Sequence, residues 1–136
     1  MVQKPGDALE IRSEGDIVNV RKTIREATTA MGFGLTDITR IVTAASELAR
    51  NIFHYAGTGT AYWFILEENG QRGIELIFED HGPGIPDVEK AMEPGYSTGG
   101  GLGLGLTGSK KLMDELEIRS EIGKGTVVIV KKWLKK

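Results

Sequence analysis

The chain has 136 residues, 40% hydrophobic and 26% charged, a length and balance that fit one domain with one core. A net charge of −2 gives no electrostatic basis for nucleic-acid binding; the absence of cysteine excludes disulfides and thiolate metal sites; two histidines, His54 and His81, are too few for a zinc centre. No apolar run approaches a membrane span and the N-terminus lacks the apolar core of a signal peptide, so no membrane partner and a cytoplasmic location are expected.

Leu9-Glu10-Ile11 alternates and predicts a short strand. Asp16 is placed to cap a helix reaching Met31, with Ile17, Val20, Ile24 and Ala27 at helical spacing, and Gly32 and Gly34 end it. Thr36 is the expected cap of a second helix. Its buried face is Ile38, Ile41, Val42, Ala45, Leu48, Ala49 and Ile52, and Ala56-Gly57 closes it. Residues 61–66 and 73–80 read as two strands of a hairpin around Asn69-Gly70. Residues 87–92 allow one or two helical turns. A helix is then predicted from Leu104 to Leu116, with Leu112, Met113 and Leu116 inward. A last hairpin, 117–121 with 126–133, turns at Gly123-Lys124-Gly125. The sum is a single two-layer α/β sandwich over residues 1–136, a mixed sheet with helices on one face.

Chemistry concentrates at four places. Glu47 and Asn51 lie one turn apart on the second helix, on a face distinct from Leu48, Ala49 and Ile52, so both can reach one ligand. A carboxylate there can take a proton from an attacking hydroxyl, and an amide oxygen suits Mg²⁺, which prefers oxygen. Taken alone, the pair reads more readily as a solvated helix face carrying a charge and an amide. Asp80 ends an alternating strand just before Gly82-Pro83-Gly84-Ile85-Pro86, where a carboxylate can accept an exocyclic amine and glycines leave room for a base. An Asp-capped turn is the plainer alternative. Seven of the 19 glycines fall between Gly95 and Gly108. Within that run Gly101-Leu102-Gly103-Leu104-Gly105-Leu106 leads straight into a helix, whose first N–H groups favour phosphate. Gly123-Lys124-Gly125-Thr126 reads as a hairpin turn, with the Thr126 hydroxyl available to a base pocket. Gly103 to Gly108 also fits the dinucleotide fingerprint, but no strand precedes it, and no glycine is followed by the Lys-Ser or Lys-Thr of a Walker loop. The basic tail, Lys131-Lys132 and Lys135-Lys136, reads as a solvated strand end, and His54 and His81 carry no assigned chemistry.

In this order the segments resemble the GHKL (Bergerat-type) ATPase superfamily of gyrase, Hsp90, MutL and the histidine kinases. Glu47 and Asn51 match its N box, Asp80 to Gly84 its first glycine box, Gly101 to Leu106 its second, and Gly123 to Thr126 its last. The resemblance implies ATP and Mg²⁺ as cofactors. It makes Glu47 the general base and Asn51 the Mg²⁺ ligand. Asp80 would bond the adenine amine, directly and through a water shared with Thr126. Gly82, Gly84, Ile85, Gly100, Gly101, Leu102, Gly103, Leu104, Gly105 and Leu106 would complete the nucleotide site, with a lid from Pro86 to Gly100.

Ser46 to Ile52, Gly100 to Gly103 and Lys110 to Glu115 are similar to the small serine/threonine kinases of bacterial partner-switching pathways, over nearly the whole chain. Tyr55 stands where the anti-sigma kinases carry His, which favours the stressosome switch-kinase branch. That branch implies STAS-domain substrates (an RsbS-like antagonist and an RsbR-like scaffold) and a downstream output protein such as a phosphatase. The alternative is an anti-sigma factor that sequesters a sigma subunit.

Overall fold

A computed structural model describes residues 2–82 and 103–135 of the chain. Five stretches of alternating or β-branched sequence form strands: Val2–Ile11 (β1), Gly59–Glu68 (β2), Gln71–Asp80 (β3), Glu115–Glu121 (β4) and Gly125–Trp133 (β5). They make one sheet in the order β1-β2-β3-β5-β4. Among the described residues three amphipathic stretches form helices, Glu14–Met31 (α1), Leu35–Tyr55 (α2) and Gly103–Leu112 (α3).

Every strand pair is antiparallel, so the expected mixed sheet is corrected to an antiparallel one. Topology is the cause. A single crossover helix returns the chain parallel to the strand it left, but two helices in succession separate β1 from β2 and turn the chain back against it. The connection from β3 to β4 does span the sheet, but β5 lies between the two strands, and β5 opposes both.

The two-layer form follows from which residues alternate inward. Ile74, Leu76 and Phe78 of β3 and Val128 and Val130 of β5 are buried against Ile38, Ile41, Val42, Ala45, Leu48, Ala49 and Ile52 of α2. Each such fully buried side chain stabilises the fold by about 1.5–3 kcal/mol before entropy is counted. The intervening residues Tyr62, Phe64, Ile77, Val127 and Ile129 are half-buried and lie outside this core, on the sheet face opposite the helices.

Local chemistry sets the ends. The cap of α1 is Ser13 rather than Asp16: Ser13 Oγ accepts from the Asp16 N–H at 3.3 Å, and Asp16 Oδ2 accepts from the Arg12 N–H at 2.8 Å. Asp16 thus sits one turn inside, where its side chain reaches back past the cap to the Arg12 N–H. Gly34, not Thr36, precedes α2 and makes no side-chain cap; the short link from Gly32 leaves Leu35 already helical. Asn69 and Gly70 both take positive φ (53° and 77°), the requirement of a two-residue type I′ hairpin turn.

Helix α3 stops at Leu112 instead of Leu116 because the chain finds better partners in β5. The Asp114 N–H donates to the Lys131 carbonyl at 2.9 Å, and Lys132 Nζ donates to the Leu112 carbonyl at 2.7 Å. Leu116 consequently packs from β4. Lys132 also corrects the reading of the basic tail. It is 4% exposed, with Asp37 and Asp114 carboxylates at 3.8 and 3.7 Å, while Lys131 pairs with Glu75 at 3.8 Å. No helix among the described residues is long and apolar enough to cross a membrane.

Candidate functional site

The long apolar face of α2 presses that helix onto β1, β2 and β3 and fixes the direction of its other faces. Glu47, Arg50 and Asn51 lie along the half-buried margin. The Asn51 Oδ1 atom is buried and accepts no hydrogen bond among the described residues. A buried carbonyl oxygen without a donor costs about 1–3 kcal/mol. A hard cation supplied by a ligand would satisfy it, so the residue present fits a magnesium ligand. Glu47 Oε1 accepts from Arg50 Nη1 at 2.7 Å.

Asp80 approaches from the sheet. It pairs across β2–β3 with Gly59 and across β3–β5 with Thr126. Its Oδ1 accepts from the Gly82 N–H at 2.9 Å, an Asx-type turn that orients the carboxylate and leaves Oδ2 without a bond among the described residues. Thr126 is buried, and its hydroxyl lies 3.1 Å from the Ser120 hydroxyl across the β4–β5 hairpin.

Close backbone packing holds these parts together. A Cβ on Gly125 would stand 2.1 Å from the Asp80 carbonyl oxygen. A Cβ on Gly59 would meet Ile52 Cγ2 and the Glu79 carbonyl, each at 2.6 Å. One on Gly82 would meet the Ala56 Cβ at 2.7 Å. The C-terminal turns of α2, which carry Asn51 and Ile52, therefore rest directly on the strand end that presents Asp80. A cleft of about 290 Å³ at this end of the sheet is lined by Asp80, His81, Ser120, Lys124, Gly125 and Thr126, among others.

The structure thus places Asp80, Gly82 and Thr126 at one end of the sheet, against the turns of α2 that carry Ile52 and Ala56; Asn51 adjoins Ile52 there, and Glu47 lies one turn earlier on α2, neither of them lining the cleft. Gly103, Leu104, Gly105 and Leu106 are the first residues of α3. Gly84, Ile85, Gly100, Gly101 and Leu102, the helical turns expected at 87–92 and the lid to Gly100 lie outside the described residues. His54 and His81 are exposed, and His81 lines the cleft. Two neighbours were missed: Arg50, which lies three residues from Glu47 at pairing distance on a helix, and Ser120, which is opposite Thr126 in the hairpin register. Among the described residues no group of three or more His, Asp or Glu side chains forms a metal cluster, so an ion here would depend on Asn51 and on its ligand's own oxygens.

Residues 36–136 match the family described as histidine kinase-, DNA gyrase B- and HSP90-like ATPases. The chain belongs to this family. It is 49% identical over 127 residues to the serine/threonine-protein kinase RsbT of Bacillus subtilis (strain 168), covering 93% of this chain and 96% of that one. It is 41% identical over 106 residues to the anti-sigma F factor of Caldanaerobacter subterraneus subsp. tengcongensis, covering 72% and 71%. Among solved structures, the RsbU and RsbW domains of Rv1364c from Mycobacterium tuberculosis share the fold. The TM-score is 0.60 at 21% identity, over 97% of this chain and 34% of that one. Identity near one half over nearly all of both chains places the protein with the serine/threonine-protein kinases of the family, and the ATPase fold implies ATP as the phosphoryl donor.

Proposed function

We propose that the protein is a partner-switching kinase that transfers the γ-phosphoryl group of ATP to a serine or threonine hydroxyl of a STAS-domain protein, antagonist or scaffold, and then binds and activates a downstream output protein such as a phosphatase. The observation that carries this reading is the buried, unpartnered amide oxygen of Asn51 one helical turn from Glu47. An oxygen-seeking cation would satisfy that atom, and such a cation accompanies nucleotide phosphates. When bound on Asn51, magnesium would offset phosphate charge during transfer.

The chain's own residues supply the rest. The Asp80 carboxylate, oriented by the Gly82 N–H, accepts the adenine amine, and the Thr126 hydroxyl beside it supports the same edge of the base. Gly82 and Gly84, with Ile85, leave room for the ring. The backbone of Gly100 to Leu106 receives the phosphates, and the segment from Pro86 to Gly100 covers them. Glu47 accepts the proton of the attacking hydroxyl as its oxygen bonds to the γ-phosphorus and ADP leaves. The site works in the cytoplasm, where ATP and the partners are found.

The test is transfer of radiolabelled γ-phosphate from ATP to a purified STAS-domain protein encoded beside this chain, with capture experiments run in the presence and absence of ATP. Label on the STAS protein, lost with Glu47→Ala, supports the reading. Similarity to an anti-sigma factor makes one rival outcome specific: capture of a sigma subunit in the presence of ATP, with no label on any STAS protein, would replace it.

A further inference from the structure

We propose that Arg50 is a positioning residue for phosphoryl transfer, which holds the Glu47 carboxylate in its working orientation; this rests on the kinase reading of the site. The Arg50 guanidinium donates from Nη1 to Glu47 Oε1 at 2.7 Å, a charge-assisted bond at the short end of its range. The two residues stand three apart on α2, and their side chains are 38% and 32% exposed, so the pair sits at the rim of the buried core and not in free solvent.

A glutamate has three side-chain torsions, and on an open helix face its carboxylate would sample many directions. Pinning Oε1 removes most of that freedom and leaves Oε2 as the oxygen that can receive the proton. A base must lie within hydrogen-bond reach of the proton it takes, and misplacement of a reacting group by about 1 Å can cost a hundredfold in rate. A half-exposed pair on a helix adds little to stability, so its main effect falls on the reaction.

The experiment is a double-mutant cycle on the full chain with Mg-ATP and the STAS-domain acceptor, measuring kcat and the KM for ATP. Arg50→Met is expected to lower kcat at least tenfold with the KM for ATP within twofold, and Arg50→Lys to recover part of the loss. In a Glu47→Ala background, Arg50→Met is expected to add no further loss, because the residue it positions is gone. Calorimetric ATP affinity and the thermal midpoint of each variant separate this from a general structural defect. An Arg50→Met enzyme with unchanged kcat, while Glu47→Ala is inactive, overturns the inference and leaves the base assignment standing. Losses that multiply across the cycle, or a KM raised as much as kcat falls, overturn it too, because Arg50 would then be acting on the nucleotide. Full activity of Glu47→Ala instead refutes the underlying assignment of the base.

Discussion

Gly125→Ala is the sharpest test of how β3 and β5 meet. Gly125 has φ of +128°, outside the range L side chains normally adopt, and a Cβ there would lie 2.1 Å from the Asp80 carbonyl oxygen and 2.8 Å from the His81 Cα. Both neighbours are backbone and cannot turn aside as a flexible side chain could. The dihedral strain costs about 1–3 kcal/mol. Forcing the strands apart costs about 1–3 kcal/mol more. A total of about 2–6 kcal/mol is a large part of the 5–15 kcal/mol typical of a domain.

Gly123 is the internal control. Its φ is +81°, but nothing lies within 4 Å of a Cβ there, so Gly123→Ala should cost only the left-handed penalty of about 1–2 kcal/mol. Urea denaturation of the two variants, read by circular dichroism, gives the comparison directly. Because Asp80 itself moves, Gly125→Ala should also weaken ATP binding in calorimetry, while Gly123→Ala should not. Equal stability losses in the two variants would show that the close approach of β5 to Asp80 has been misplaced.

Three further outcomes are expected. Asn51→Leu, which removes the unpartnered buried oxygen at similar volume, should raise nucleotide-free stability by about 1–3 kcal/mol while Mg-ATP binding by calorimetry disappears; a variant that still binds normally refutes the role of Asn51. Saturation with Mg-ATP at a hundred times its dissociation constant should stabilise the protein by about 2.7 kcal/mol, and a chelator added before the nucleotide should remove most of the rise in thermal midpoint. Lys132→Met should destabilise by about 3–5 kcal/mol, because it takes the buried cation from the Leu112 carbonyl and the Asp37 carboxylate; an unfolding free energy in urea within about 0.5 kcal/mol of the parent would mean that the lysine does not tie α3, β5 and α2 together.

The strand pattern was legible because alternation in residues 61–66 and 73–80 separates one face from the other, and Asn69-Gly70 announces a turn that few other pairs can make. Helix α2 was legible from its unbroken apolar stripe. Its cap was not: Thr36 is a good capping residue, but the chain leaves Met31 through Gly32 to Gly34 so tightly that the helix starts before it. Strand direction was hidden because it depends on which strands become neighbours, a non-local outcome, and β5 inserts between β3 and β4. Lys132 misled for a related reason. A lysine near the end of a basic tail ordinarily faces water, and only the arrival of the α3 terminus and Asp37 makes its burial tolerable. At the site, the sequence named Thr126 together with Asp80; the register set the two across β3–β5 and supplied the neighbour that residue types alone could not, Ser120 opposite Thr126.

The pairing of Asp80 with Thr126 has a consequence for synthesis. Asp80 ends β3 and Thr126 lies on β5, so a growing polypeptide cannot bring the two together until β5 has left the ribosome and docked. If the proposed site is correct, nascent copies would carry Glu47 and Asn51 before the edge made by Asp80 and Thr126 exists.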